Sequence, residues 1–171
     1  MVDVGAYCLM PNHFHILIYE KSDSNISLYM KKLLTAYVMY FNKKYKRTGS
    51  LFEGKFKAQH VDSDRYLKYL FSYIDLNPVK LIQKDWKEVG IKNKIQAYNF
   101  ALEYRYSSFT EDRKDENKSE IQKIVNITHF PKYFLNFKDL KEEIFEWLMF
   151  PRKDLGKERE LVWSFGKNLL G

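Results

Sequence analysis

Two histidines separated by one residue, His13 and His15, are the side chains of this sequence with the clearest capacity for chemistry. They lie in a segment with the character of a β-strand, where every second side chain shares a face, so both imidazoles point the same way. The apolar residues around them point the other way: Phe14, Ile16 and Ile18. Two imidazoles at this spacing can bind one metal ion, but such pairs also occur in strands for structural reasons. The pair alone leaves both interpretations open.

A second candidate group lies further along the chain, where Tyr73 and Asn77 are four residues apart in a helical pattern. That spacing places them on one helix face. Leu70, Phe71 and Ile74 form the core arc of this helix, so Tyr73 and Asn77 lie along its flank. There, the tyrosine is a candidate nucleophile and the asparagine a candidate third metal ligand. In the alternative interpretation both residues are structural: the tyrosine ring lies at the boundary between core and surface, and the asparagine ends the helix before a proline.

Basic residues are concentrated between these two groups. Of the formal net charge of +7, residues 21–60 carry the whole, with nine basic side chains against two acidic ones. The same window is rich in tyrosine and phenylalanine, and cations that track phosphates beside rings that stack on bases are how single-stranded nucleic acid is held. A solvated helix face above core aromatics is the competing interpretation. The predicted phosphate contacts are Lys43, Lys44, Lys46, Arg47, Lys55 and Lys57, and Phe52 or Phe56 is a candidate stacking ring.

The elements that must position these residues follow from periodicity and turn signals. Residues 2–10 and 13–19 are predicted to be two strands joined at Pro11-Asn12 as a hairpin. Ser24 or Asn25 is suited to cap a helix that ends near Thr48-Gly49. Residues 51–61, which include Gly54, are predicted to be a third extended segment.

A second helix is predicted to begin at Ser63, a good N-cap, and to end at about Asn77 because Pro78 follows. Residues 80–110 give only short helical or irregular signals. A stretch without hydrophobic residues, 111–120, is predicted to be a linker between a core of residues 1–110 and a helical C-terminal extension of residues 121–171. In that extension, Asn136 is suited to cap a helix that Pro151 ends, and a last helix is predicted at 156–169.

The composition is that of an ordinary globular protein, with 171 residues, 45% hydrophobic and 30% charged. No apolar run reaches the roughly 18–20 residues needed to span a bilayer. The single cysteine, Cys8, excludes an internal disulfide and a zinc site built from several cysteines, which favours a cytoplasmic location.

Three separated segments, AYCLMPNHFHILI, YFNKKYKRTGSLFEGKFKA and YIDLNPVK, resemble in this order a known family. It is the family of transposases with a His-hydrophobic-His motif and a single tyrosine, in particular the insertion-sequence-200-like and REP-associated tyrosine transposases. The resemblance covers about residues 5–110. It implies an α+β fold of the ferredoxin-like type, an antiparallel sheet with helices packed on it.

The same resemblance implies a set of roles. Tyr73 would attack a phosphodiester of single-stranded DNA, and His13, His15 and Asn77 would hold Mg²⁺ or Mn²⁺. The expected partner is single-stranded DNA that folds into a hairpin, bound by a monomer or a homodimer. The general base for the tyrosine is not identified by the sequence.

One departure from the family pattern bears on activity. Members usually carry a strand and a helix before the segment AYCLMPNH, whereas here Met1 precedes it by five residues, so the sheet is expected to lack a strand. A catalytically inactive remnant that only binds nucleic acid is therefore an alternative. Two other interpretations are less favoured. A replication initiator or relaxase generally needs a longer chain than this one. A structural zinc site is disfavoured because two histidines and one amide form a poor closed set of zinc ligands.

Overall fold

The structure is a computed structural model that describes residues 1–109, 123–133 and 137–149. Its regular elements follow in chain order: β1 (Val2–Leu9), β2 (Phe14–Glu20), α1 (Asn25–Lys44), α2 (Asp64–Leu76), a short 3₁₀ helix (Asn77–Leu81), α3 (Trp86–Val89), α4 (Lys94–Glu103) and α5 (Phe137–Met149). Helices pack on an antiparallel pair of strands, so the predicted α+β class is confirmed. None of the helices in the described part is long and apolar enough to cross a membrane.

The hairpin of β1 and β2 is the centre of the fold. Cys8 lies opposite His15 and Ala6 opposite Leu17, and the register shifts at Gly5, between Val4 and Ala6. A Cβ atom at Gly5 would lie only 2.8 Å from the ring of Phe130, so only glycine fits this close approach. The predicted hairpin is confirmed.

The two faces of β2 pack against different helices, as the alternation of its sequence predicts. Phe14, with Ile16 and Ile18 beside it, packs with Met30 of α1. Leu17 on the opposite face joins Ala6 and Cys8 in a cluster with α2. His15 is on the side of α2 and is 3% exposed.

The long helix α1 has only one fully buried side chain, Met30. Ser24 occupies the N-cap position, but its side chain makes no capping bond; the Ile26 N–H donates instead to Glu20 Oε1 at 2.9 Å. The helix ends at Lys44, earlier than the predicted end near Thr48-Gly49, because Lys46 adopts a left-handed conformation with φ 51°.

Residues 51–61 do not form the predicted third strand. Gly54 has φ +83°, which turns the chain out of an extended path. Side chains nevertheless fix the segment to the core, since Leu51 is 2% exposed and the Phe52 ring lies 6.5 Å from that of Phe14. The alternation of apolar residues in this segment reflects anchoring points rather than sheet pairing.

Helix α2 begins as predicted, with Ser63 Oγ accepting from the Tyr66 N–H. Pro78 ends the α-helix at Leu76, but the backbone continues as the 3₁₀ helix, whose first turn accepts proline without losing a donor. Every residue from Phe71 to Val79 is buried. The reason is that α2 and the 3₁₀ helix are enclosed by the hairpin cluster on one side and by a second cluster with α4 and α5 on the other.

The described part of the C-terminal region packs on this core. Asn126 N–H donates to the Val4 carbonyl at 2.8 Å, and Phe130 is buried against Phe71. In α5, Leu140 and Ile144 are buried in the cluster that contains Trp86 and Phe109. The predicted linker at 111–120, the cap at Asn136, the stop at Pro151 and the helix at 156–169 lie outside the described residues.

Candidate functional site

The two histidines lie where the hairpin turn leads into β2. Their ring centroids are 5.0 Å apart and the rings are perpendicular. Asn12 Oδ1 lies 2.7 Å from His13 Nδ1, and an amide oxygen only accepts, so the proton of His13 is on Nδ1. The lone pair of the ring is then on Nε2, the arrangement found when a hydrogen bond orients a metal-ligating histidine.

Tyr73 is adjacent to this pair. Its ring lies 5.5 Å from that of His15, nearly perpendicular to it, and 5.6 Å from the ring of Tyr69 on the other side. The side chain is 8% exposed. The sequence places Tyr73 on the helix flank, and the structure buries that flank against His15.

Asn77 lies one helical turn after Tyr73 and is completely buried. Its Nδ2 donates to the Tyr73 carbonyl at 2.9 Å, which ties the asparagine to the backbone of the candidate nucleophile. Its Oδ1 is buried and has no hydrogen-bond partner among the described residues. A buried amide oxygen without a hydrogen-bond partner is costly, so Asn77 Oδ1 is a candidate to bind a ligand.

The donor chemistry of these residues fits a small divalent cation. Two imidazole nitrogens and an amide oxygen leave positions open for phosphate oxygens, as a catalytic ion requires. Within residues 1–109, 123–133 and 137–149, no three His, Cys, Asp or Glu side chains are grouped to hold a metal. An ion bound by the two histidines would therefore need further ligands of another kind, and Asn77 Oδ1 is a candidate.

The six predicted phosphate contacts are all exposed and lie at the C-terminal end of α1 and in the segment that follows. Lys44 Nζ lies over the rings of Tyr40 and Tyr45 at 5.6 and 5.4 Å, and the Arg47 guanidinium lies 5.9 Å from the ring of Phe41. Cations and flat rings therefore alternate on this surface. His13 and His15 lie on the hairpin, so these cations and the two histidines belong to different elements.

A cleft of about 590 Å³ opens beside the histidines. It is lined by residues of the hairpin, of α1 and of the segments that follow α1 and α4. We call it the aromatic cleft, and the rings that line it, besides the two imidazoles, are Tyr7, Phe14, Tyr29, Tyr37, Phe52, Tyr104 and Tyr106. Its volume is in the range of small-ligand pockets.

Three phenols of this cleft have a raised pKa. Burial raises the pKa of Tyr29, of Tyr37 and of Tyr104 above the ordinary value. For Tyr37 the neighbouring phenols of Tyr45 and Tyr40 act in the same direction. These three rings are therefore uncharged at neutral pH.

Tyr104 and Tyr106 were not predicted as site residues from the sequence. The Tyr104 hydroxyl donates to the Leu9 carbonyl at 2.7 Å and the Leu9 N–H donates to the Tyr106 carbonyl at 2.8 Å, so residues 104–106 run along the free edge of β1. The signal available in the sequence is the Tyr-Arg-Tyr triplet at 104–106, where a cation separates two rings. Its placement depends on contacts about 95 residues apart.

Comparison with known proteins gives one family. Residues 1–77, which include both histidines, Tyr73 and Asn77, match the family model described as "Transposase IS200 like". No curated protein and no solved structure matches the chain. The match ends at the asparagine that follows the candidate nucleophile.

Proposed function

We propose that this chain, whose residues 1–77 match the family model of IS200-like transposases, cuts and rejoins single-stranded DNA with Tyr73 as the nucleophile. The coarser part of the proposal, a transposase that processes DNA, is supported by this match. The finer one is our proposal, and it includes a divalent cation, Mg²⁺ or Mn²⁺, and single-stranded hairpin DNA as substrate.

The observation that carries the proposal is the grouping of Tyr73 with His13 and His15. The three residues are separated by up to 60 positions in the chain, yet their rings form a continuous series with centroids 5.0 and 5.5 Å apart. Asn77 is attached to the same tyrosine through its hydrogen bond to the Tyr73 carbonyl. These are the residue types that single-tyrosine strand cleavage needs at one place: a nucleophile and nitrogen and oxygen ligands.

His13, His15 and the Oδ1 of Asn77 are the residues proposed to hold the cation. When bound, a cation of this kind polarises a phosphoryl oxygen and offsets the negative charge that develops during phosphoryl transfer. Asn12 contributes by fixing the His13 ring. The hydrogen bond from Asn77 to the Tyr73 carbonyl couples the ligand set to the nucleophile's position on α2.

The reaction of Tyr73 exchanges one phosphodiester for another. The phenol oxygen forms a bond to phosphorus, the bond between phosphorus and the 3′ oxygen of the neighbouring nucleotide breaks, and a proton passes from the phenol to the medium as the leaving oxygen gains one. The products are a 5′-phosphotyrosine and a free 3′-OH. A different 3′-OH can then reverse the step at a new junction, which rejoins strands without hydrolysis.

The test is the covalent adduct. Full-length protein is incubated with end-labelled single-stranded hairpin DNA and Mn²⁺, denatured and separated by size. We expect a labelled protein–DNA species for the wild type that is lost in Tyr73→Phe and in the presence of EDTA. An unchanged adduct in Tyr73→Phe would contradict the assignment of the nucleophile.

A matched control is available on the same helix. Tyr69 lies 5.6 Å from Tyr73, ring to ring, so Tyr69→Phe removes a hydroxyl from the same neighbourhood. We expect Tyr69→Phe to keep the adduct. DNA binding that persists in EDTA without any adduct in the wild type would instead identify a binding module that has lost catalysis.

A further inference from the structure

We infer that the aromatic cleft is a subsite for an unstacked nucleobase of single-stranded DNA. The inference rests on the proposed function, because it assumes that DNA reaches His13 and His15. It adds a place on the protein that recognises the base rather than the phosphate. Two residues of its lining, Tyr104 and Tyr106, lie beyond the residues that match the family model.

The shape and lining of the cleft suit a planar heterocycle. Two of its most exposed rings, Tyr37 at 39% and Tyr106 at 51%, come from different elements, one from α1 and one from the segment after α4. Stacking on such rings is tolerant of sequence because every base has an aromatic face. The volume of about 590 Å³ is large enough for a base with its sugar.

Cations beside rings of both elements favour a strand with phosphates over a neutral partner. The Arg105 guanidinium lies 5.3 Å from the Tyr106 ring. On α1, the Tyr37 ring lies 6.1 Å from that of Phe41, which contacts the Tyr45 ring. Arg47 lies over the Phe41 ring and Lys44 over the Tyr45 ring. Cations are therefore available near the cleft for the phosphates that flank a bound base.

The neutral state of the rings is consistent with this occupant. Phenolate would repel phosphates, and burial raises the pKa of Tyr37 and of Tyr104, so both remain protonated at physiological pH. His13 and His15 are among the residues that line the cleft. A base held there would lie next to the proposed cleavage site, and its contacts would help to position the scissile phosphate.

The experiment separates base contacts from phosphate contacts. Binding of a fluorescent dT12 oligonucleotide is compared with that of a 12-mer of the same charge made only of abasic nucleotides, in EDTA, by anisotropy. We expect the wild type to prefer dT12. Tyr37→Leu and Tyr106→Leu should each weaken dT12 binding by about tenfold and leave the abasic strand unaffected, because loss of one stacking ring costs about this much.

Two further variants control for folding and location. Tyr37→Phe keeps a ring and should bind dT12 like the wild type. Tyr40 is 59% exposed on the same helix and is outside the cleft lining, so Tyr40→Leu should retain the preference for bases. If Tyr40→Leu loses the preference as strongly as Tyr37→Leu, bases stack on the helix surface and the inference is wrong.

Other outcomes overturn the inference without touching the proposed function. If the wild type binds dT12 and the abasic strand equally, the cleft does not bind a base and the inference is wrong. The result of the Tyr73 adduct test does not depend on this comparison. If the cleft is instead an interface between two copies of this chain, the wild type should sediment as a dimer. Tyr37→Leu and Tyr106→Leu should then dissociate the dimer without changing the affinity for dT12. That result would make the cleft a self-association surface.

Discussion

At the scale of single residues, small polar side chains determine what the larger groups can do. Asn12 places the proton of His13 on Nδ1, and Asn77 uses one half of its amide to bind the Tyr73 backbone while the other half stays without a partner among the described residues. Replacing Asn12 would leave all the proposed ligand atoms in place and remove only the hydrogen bond to the His13 ring. Replacing Asn77 would remove both a proposed ligand oxygen and the hydrogen bond to the Tyr73 carbonyl.

The first prediction concerns the two imidazoles. His13→Ala and His15→Ala should reduce adduct formation to background, because a cation loses a ligand, while DNA binding in EDTA changes by less than about twofold since phosphate contacts dominate affinity. Mn²⁺ should raise the melting temperature of the wild type but not of the variants, because binding to the folded state stabilises it.

His60 offers the matched control, since it is an exposed histidine in the segment after α1. His60→Ala should keep both the adduct and the Mn²⁺ effect. His15 is buried, so a melting experiment without metal is needed to show whether His15→Ala unfolds the chain. His13 is half-buried, so His13→Ala tests the loss of a ligand with less effect on packing. If Mn²⁺ has no effect on the wild type and both variants unfold, the pair is a packing feature.

The candidate site could be predicted from the sequence where the interactions are local. The spacing of His13 and His15 and the four-residue interval from Tyr73 to Asn77 set which side chains share a face. The burial of Tyr73 could not be predicted, because it depends on the hairpin packing against α2. The rings of Tyr104 and Tyr106 meet the cleft only through pairing with β1.

At the scale of elements, the hairpin is fastened by an ionic cluster at its open end. Asp3 is 3% exposed; its carboxylate lies 2.7 Å from Lys21 Nζ and 2.5 Å from His129 Nδ1. Asn126 Nδ2 donates to the same carboxylate at 3.1 Å, and the His129 ring stacks on Tyr19. One carboxylate thus joins β1 to the turn after β2 and to the segment 123–133.

This cluster gives a prediction about acid stability. The hydrogen bond from Lys21 lowers the pKa of Asp3 below its ordinary value of 3.8, a bond from His129 acts in the same direction, and burial opposes both. The folded state therefore favours the ionised form, so the cluster stabilises the protein above about pH 4, the unfolded value. That contribution is lost as the pH falls below 3.8 toward the folded pKa.

Asp3→Asn should lower the melting temperature at pH 7 and flatten its dependence on pH in the acid range, measured by circular dichroism between pH 2 and 7. Asp62 is exposed and serves as the control, since Asp62→Asn should leave the curve close to that of the wild type. Identical acid profiles for Asp3→Asn and the wild type would show that the cluster contributes nothing to stability.

Elements with strong local signals were predicted well and those without them were not. Ser63 caps α2 as expected, and the Pro11-Asn12 turn joins the two strands. The predictions for the end of α1 and for the path of residues 51–61 were wrong. Lys46 and Gly54 adopt positive φ values, which the pattern of apolar residues does not encode. An alternating pattern describes burial, and pairing with another strand is a separate, non-local requirement.

At the scale of the whole molecule, the proposed phosphate contacts are concentrated in one part of the chain. All six proposed phosphate contacts are exposed, and they lie after the middle of α1 and before α2, on the chain between the histidines and Tyr73. Exposed charges of this kind contribute little to stability. Their concentration in one part of the chain is therefore better explained by an anionic partner than by folding.

The last prediction tests this basic surface through its salt dependence. Each phosphate contact that is lost should flatten the slope of log K against log salt by roughly 0.7 for a single strand, because fewer counterions are released on binding. The variant carries glutamine at four positions: Lys43, Lys44, Lys46 and Arg47. Its slope for single-stranded hairpin DNA should fall by up to about 3, with the circular dichroism spectrum unchanged.

A control variant carries glutamine at four exposed lysines elsewhere: Lys84, Lys92, Lys132 and Lys138. The two variants have the same net charge, so a general electrostatic effect would flatten both slopes alike, whereas a defined path for the strand flattens only the first. An unchanged slope in the first variant would mean that these residues form a solvated face and that DNA crosses the molecule elsewhere.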